Sequence, residues 1–306
     1  MLCGRARWRA VALVVLTVAL MIPGVRSAVA TRNVATGVKA YQATVSSNSA
    51  AVVATYGLSY RSANHSVSIT TSGPFSWSQN RGELTVSTVA SGSTAGSSMV
   101  MTTQEVIDGN RTYSSTSTAD APPDLASSGG WTETTWRGRM TGNALPLVDL
   151  GILGFGPPGG APNPKAILGL LRSKAASDER LGTAVLNGVE TTRFRSHIPF
   201  SQLGVTGKDT AQIQRALGTR FLQIDYWTDS ADRLRLMQLR MKVRRPPETT
   251  TTTGPGFVAS ASLFPVTVEI QLQLSDYGTP VSVTPPPASE ITSRTSCVAS
   301  ANSFTC

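Results

Sequence analysis

Apolar and polar positions alternate most cleanly over residues 266 to 274, where Val266, Val268, Ile270, Leu272 and Leu274 are separated by Thr267, Glu269, Gln271 and Gln273. A period of two sends successive side chains to opposite faces, so this stretch predicts a strand with one face in a core and the other in water. In LRLMQLRMKV, Leu234 and Leu236 share one parity while Leu239, Met241 and Val243 share the other. Keeping one apolar face inward through that change needs an extra residue, which predicts a β-bulge near Leu236 and Met237. LQIDYWT leads through Asp229 to Asp232 into this strand as a hairpin. Asn187-Gly188 marks a tighter hairpin between GTAVL and VETTRFRSHIPF. Shorter alternating runs, ATYGLSY, SVSITT, ELTVSTV and MTTQEVI, predict further strands in the N-terminal half, with a turn at Asp108-Gly109-Asn110.

Period 3.6 is confined to short stretches. Pro164 suits the first turn of a helix whose apolar stripe is Ile167, Leu168, Leu170, Leu171 and Ala175. A second helix begins near Lys208 or Asp209, shows Ile213, Ala216 and Leu217, and stops at Gly218. Residues Val34 to Ser47 carry a fainter third pattern, and no internal repeat is present. PPETTTTTGPG (246 to 256) and STADAPPDLASSGG (117 to 130) read as surface loops.

The first thirty residues differ in kind. Arg5, Arg7 and Arg9 precede an uncharged, mostly apolar run from Ala10 to Ile22, and Ala28-Val29-Ala30 offers small residues for cleavage. These features predict a secretory signal over 1 to 30, since a run of about thirteen residues spans roughly 20 Å as a helix, against about 30 Å of hydrocarbon. The alternative is an uncleaved anchor. The chain has 27 Lys and Arg against 18 Asp and Glu, a net charge of +9; four of the arginines and none of the acids precede residue 31. The remaining charge suits contact with an anionic envelope surface, and no basic block with interleaved aromatics points to nucleic acid. Beyond the leader the cysteines are Cys297 and Cys306. In an oxidising compartment they predict one disulfide closing a small terminal loop, with two unpaired thiols as the alternative. Closing about ten residues is worth roughly 2.7 kcal/mol in the chain-entropy picture.

Five stretches, FSWSQNRGELTV (75 to 86), NPKAILGLLRS (163 to 173), NGVETTRFRSHI (187 to 198), LQIDYWTDSADRLRLMQLRMKV (222 to 243) and LSDYGTPVSVTPPPASEI (274 to 291), together resemble the LppX/LprG-type actinobacterial envelope lipoproteins. Those proteins are relatives in fold of the lipoprotein carrier LolA. The resemblance implies an α+β architecture: a strongly curved antiparallel half-barrel, spanning 31 to 292, with a few helices over its concave face and an apolar space between. A tail over 293 to 306 is expected beyond Tyr277-Gly278-Thr279-Pro280 and the triple proline, where the chain leaves the domain. The acylated cysteine of the anchored members has no counterpart after the apolar run, which argues against stable tethering.

The function so implied is binding, without a cofactor: an exported, monomeric protein that carries or presents an acylated lipid or glycolipid, with transient contact to an anionic membrane or an envelope protein. A sensor or interaction module binding a protein or peptide on the same half-barrel is the alternative. LPLVDLGILGFGPPGGAPNPKAILGLL (145 to 171) sets apolar residues among glycines and prolines, a pattern that suits a cover over a lipid cavity or a plug between sheet and helix. Candidate ligand contacts are Ile152, Leu153 and Phe155 on this stretch, Ile167, Leu168 and Leu171 on the helix, and Phe194, Leu236, Val268, Ile270 and Leu272 on strands.

Catalytic signals are weak. His65 and His197 have no metal-ligand spacing, and His197 falls on the polar face of its strand. Gly92-Ser93-Thr94-Ala95-Gly96 centres on Thr where a nucleophile elbow needs Ser. Asp225, Asp229 and Asp232 cluster at a turn without the spacing of a calcium loop, so turn formation explains them better. Arg193, Arg195, Arg235, Arg240 and Lys242 form a basic strand face that suits anionic headgroups or simple solvation.

Overall fold

The structure is a computed structural model in which residues 36–60, 65–91, 98–118, 130–137, 164–173, 177–203, 207–244, 264–299 and 304–305 are described. Strand follows strand: β1 (Ser49–Tyr60), β2 (His65–Ser76), β3 (Arg81–Ser91), β4 (Ser98–Asp108), β5 (Arg111–Thr118) and β6 (Trp131–Arg137) precede β7 (Ser177–Leu186), β8 (Val189–Pro199), β9 (Phe221–Thr228), β10 (Leu234–Val243), β11 (Val266–Ser275), β12 (Ile291–Ala299) and β13 (Phe304–Thr305). All thirteen join one open, curved sheet in the order β13-β12-β6-β5-β4-β3-β2-β1-β11-β10-β9-β8-β7. Among the described residues three helices, α1 (Thr36–Ser46), α2 (Pro164–Gly169, continued as a 3₁₀ turn to Arg172) and α3 (Gly207–Leu217), complete the α+β architecture. Among the described residues no helix is long and apolar enough to cross a membrane.

The two meanders, β1 to β6 and β7 to β11, are antiparallel throughout and meet where β1 pairs with β11, Val52 opposite Leu274 and Tyr56 opposite Ile270. Their turns follow the local chemistry. Asn187 and Gly188 both adopt positive φ, 50° and 78°, as a two-residue hairpin turn requires. Gly109 does the same at 66° between β4 and β5. Gly73, with φ +148°, sits where the β2–β3 ladder skips two residues, and a Cβ there would lie 2.1 Å from the Glu83 carbonyl oxygen. Close backbone approach of this kind admits glycine alone.

The tail is where the sequence reading needs correction. Residues 291–299 do not leave the fold but form β12, which pairs in parallel with β6, Cys297 opposite Trp136, and carries β13 on its far side. The triple proline bridges β11 to an edge on the opposite side of the sheet, because a strand without a neighbour leaves its backbone groups unpaired and β6 offers one.

The bulge in β10 falls between Leu234 and Leu236. It turns Leu234, Met237, Leu239, Met241 and Val243 inward, all buried, and leaves Leu236 only partly buried outside that series. The same stretch anchors the first helix. Leu234 N–H donates to Thr44 Oγ1 at 2.9 Å, and the Tyr277 hydroxyl donates to the Leu234 carbonyl. Arg233 and Arg235 both lie against the Tyr277 ring, 4.8 and 4.9 Å from its centroid, as cation–π contacts. Both guanidinium groups reach Asp229 Oδ2, at 2.9 and 2.8 Å, while Asp229 Oδ1 accepts from the Ala231 and Arg233 amides. Burial opposes ionisation of Asp229, which is 6% exposed, but the hydrogen bonds outweigh it and hold its carboxyl below the usual range. The other end of α1 is fixed by Asp178 of β7, whose Oδ2 accepts from the Gly37 amide at 3.0 Å.

A carboxyl whose pKa is lowered on folding stabilises the fold above its unfolded pKa and loses that contribution as the pH falls through the folded value. Asp229→Asn should therefore cost about 2–3 kcal/mol at pH 7, measured by urea denaturation, since one buried acceptor serves two partly screened arginines. The deficit should shrink as the pH is lowered toward 3, where the native carboxylate is itself neutralised.

Candidate functional site

Register decides which side chains share a face. From β1 the inner set runs through Val52, Ala54 and Tyr56, and crosses to Leu274, Leu272 and Ile270 on β11 and to Gly73, Thr71 and Ile69 on β2. Over β1 and β8 to β11 this face is apolar and sealed. Val52, Ala54, Leu222, Ile224, Leu239, Val268, Ile270 and Leu272 are all buried, in one cluster with Ala40 of α1, Ile167 and Leu168 of α2 and Ile213 and Ala216 of α3. Helix α3 is capped where predicted, by Gly218 at φ +68° donating to the Gln214 carbonyl. Tyr226 is buried here, stacked on Phe194 at 5.4 Å; burial, and after it the Asp178 charge, pushes its hydroxyl pKa well above the ordinary value.

Over β2 to β5 the inner face is less covered. Its residues at the far end of the strands are Val67 and Ile69, then Thr88 and Ala90, then Met99 and Met101, most of them half-buried, and Met99 is 56% exposed. Toward the other end the face becomes hydroxyl-rich: Thr103 Oγ1 and Thr116 Oγ1 lie 3.0 Å apart, and Glu105 stands between Leu84 and Ser114. Burial pushes the Glu105 carboxyl up to about 7.

The outer face holds a different feature. A polar cleft of about 440 Å³ is lined by Gln223, Asp225, Gln238, Arg240, Glu269 and Gln271 around Gly57 and Ser68. The basic strand face borders it but is largely neutralised. Arg195 grips Asp225 with two bonds, 2.7 and 2.9 Å, and Arg193 adds a third at 2.5 Å, which together hold the Asp225 carboxyl below its usual range. Arg235 belongs to the Asp229 network and Arg240 pairs with Glu269 at 2.8 Å.

The structure thus sorts the sequence candidates. Ile167, Leu168 and Leu171 lie in the core against the sheet, with Val268, Ile270 and Leu272 below them and Phe194 at the margin. Leu236 is the correction: Met237 takes the inward place because the bulge absorbs one residue before it. Ile152, Leu153 and Phe155, the stretch from 145 to 163, Cys306 and residues 92 to 96 lie outside the described residues. Cys297 is buried on β12. His197 stacks edge-on against Phe221 at 6.4 Å on the outer face, and among the described residues no three His, Cys, Asp or Glu side chains come together as metal ligands. Asp229 and Asp232 serve the β9–β10 turn, and Asp225 the arginine clamp. Sequence reasoning missed Glu105, Thr103 and Thr116; MTTQEVI alternates too weakly to assign a face, and only pairing with β3 does so.

No protein-family model matches the chain, and no curated protein matches it. Among solved structures, it is similar to LprF from Mycobacterium bovis, at 15% identity and TM-score 0.38 over 82% of this chain and 95% of that one. It is also similar to the Mycobacterium tuberculosis lipoprotein LppX, at 12% identity and TM-score 0.35 over 80% and 94%. A third is an outer membrane lipoprotein-sorting protein domain from Vibrio parahaemolyticus, at 10% identity and TM-score 0.23 over 81% and 92%.

Two outcomes follow for stability. Leu168→Ala, at a site with no exposure, should cost about 2–5 kcal/mol in chemical denaturation, the range for deleting a buried aliphatic side chain. A raised carboxyl pKa has the opposite pH sign from Asp229: its charge opposes folding once the pH exceeds the unfolded value. Glu105→Gln should therefore stabilise the protein at pH 8 by on the order of 1–2 kcal/mol and leave it unchanged near pH 4.

Proposed function

We propose that this chain is an exported, non-enzymatic lipid-binding protein that carries or presents an envelope lipid on the inner face of its sheet. The observation that carries the reading is the uneven cover of that face, sealed over β8 to β11 and only partly filled over β2 to β5 around Val67, Ile69, Met99 and Met101. Acyl chains laid there are removed from water at about 0.8 kcal/mol per methylene, enough to hold a lipid without many directed contacts. Ile167, Leu168, Leu171, Val268, Ile270 and Leu272 back this floor, with Phe194 at its margin. Ile152, Leu153 and Phe155 supply further apolar contacts to the ligand in this reading. The protein acts as a monomer that meets anionic membrane surfaces transiently, after its leader is removed following Ala30. Cys297 and Cys306 pair as a disulfide; the pairing of Val298 opposite Thr305 supports this, since Cys297 precedes Val298 and Cys306 follows Thr305 in the sequence.

The polar outer cleft favours a second reading, an interaction module that receives a peptide or protein partner there.

The test is lipid mass spectrometry on the full chain, exported from an actinobacterial host and purified without detergent beside a non-binding control. A stoichiometric acylated species is expected, and Met99→Glu/Met101→Glu should reduce it at least tenfold while the circular dichroism spectrum is kept. Empty protein that also takes up no labelled lipid from vesicles sinks the carrier reading and leaves the outer cleft. Intact mass of the unreduced protein should fall about 2 Da below the dithiol value; the dithiol mass would refute the Cys297–Cys306 pairing.

A further inference from the structure

The part of the inner face that the described helices leave half-buried is not uniformly apolar. Across β4, β5 and β6 the side chains that register places inward are Thr103, Glu105, Ser114, Thr116, Thr132 and Thr134. A carboxyl therefore stands in a field of hydroxyls. Thr71, two strands away on the same face, is fully buried with an Oγ1 that has no hydrogen-bond partner. Glu105 is partly buried, and among the described residues neither a cation nor a hydrogen-bond donor meets its carboxyl. The described residues nearest it on this face are Leu84, Thr103, Ile107 and Ser114, none of them charged. The charged residues Arg81, Glu83, Asp108, Arg111, Glu133 and Arg294 belong by register to the opposite face, where Arg81 pairs with Asp108 and Glu133 engages Arg111 and Arg294.

A partly buried polar group without a partner is costly, and among the described residues the Glu105 carboxyl and, two strands away on the same face, the Thr71 hydroxyl are such groups. From Met99 to Glu105 is six residues, roughly 20 Å along a strand, so one amphipathic molecule can span the apolar end and the hydroxyl end. We infer that Glu105, with the neighbouring Ser114 hydroxyl and the bonded Thr103–Thr116 pair beside it, is a recognition site for a neutral polyhydroxylated group and discriminates against anionic headgroups. This rests on the lipid-binding reading and names the polar part of its ligand. A carboxylate accepts two hydroxyl donors, and threonine and serine hydroxyls donate or accept as the ligand requires, which is the pattern that a polyol offers. A phosphate brought against the same carboxylate meets like charge in a partly desolvated site, with no described cation to offset it.

The experiment uses the full chain, with phosphatidylcholine vesicles doped with either digalactosyldiacylglycerol or phosphatidylglycerol, and free methyl galactoside as a third arm. Lipid taken up after vesicle removal is quantified at pH 5.5 and pH 8. The wild type should take up the glycolipid at least tenfold over phosphatidylglycerol at pH 8, and less selectively at pH 5.5 as Glu105 is neutralised. Glu105→Gln should keep glycolipid uptake and lose the pH dependence of selectivity; Glu105→Leu should reduce the preference to within about threefold. Urea denaturation checks that both variants are folded. Lipid uptake with the same headgroup preference in wild type and Glu105→Leu overturns this inference and leaves the carrier reading standing. No uptake of either lipid by the wild type removes the carrier reading itself. Methyl galactoside binding that is lost in Glu105→Leu would, without lipid uptake, keep the Glu105 assignment and make the ligand a free sugar.

Discussion

Among the described residues, one sheet of thirteen strands has more inner face than three short helices cover. At about 4.8 Å per strand the sheet is roughly 58 Å across, whereas α1 and α3, of eleven residues each, are about 16 Å long. The described helices pack mainly over β10 and β11, where aliphatic side chains from both layers form one close-packed cluster. Everything distinctive about the molecule follows from this mismatch. The covered half is a conventional core; the remainder is a face that burial has only partly claimed.

Holding so few helices in place over a curved sheet needs directed bonds as well as apolar burial, which is non-directional. Helix α1 is tied at both ends by groups from distant strands, Asp178 at its first turn and the Leu234 amide at its last. The second tie is itself reinforced, because Leu234 also accepts from Tyr277, and Tyr277 packs against the two arginines that Asp229 holds. The β9–β10 turn, the bulge, the end of β11 and the helix are thus one connected network. The acidic cluster around this turn is explained by architecture, with Asp229 saturated by four donors and Asp225 by two arginines.

The two faces divide their charge accordingly. On the outer face acids and bases neutralise one another, and the polar cleft there is bordered by such pairs. On the inner face Glu105 stands without a described partner, amid hydroxyls and beside an apolar strip ending at the exposed Met99.

The sequence by itself determined the elements wherever a local rule applies. The strict alternation of residues 266 to 274 specifies β11 and its buried side, Asn187-Gly188 specifies its turn, Gly218 stops α3, and the parity change in LRLMQLRMKV announces a bulge, because each is governed by backbone geometry within a few residues. The tertiary structure alone decided what depends on partners far along the chain. It chose Met237 over Leu236 for the core, since the bulge's exact position is set by pairing with β9. It returned the tail as β12 beside β6, since a parallel pair across some 160 residues leaves no local signal. It turned Glu105 inward, since in a strand without clear alternation the face is set only by the neighbour it pairs with.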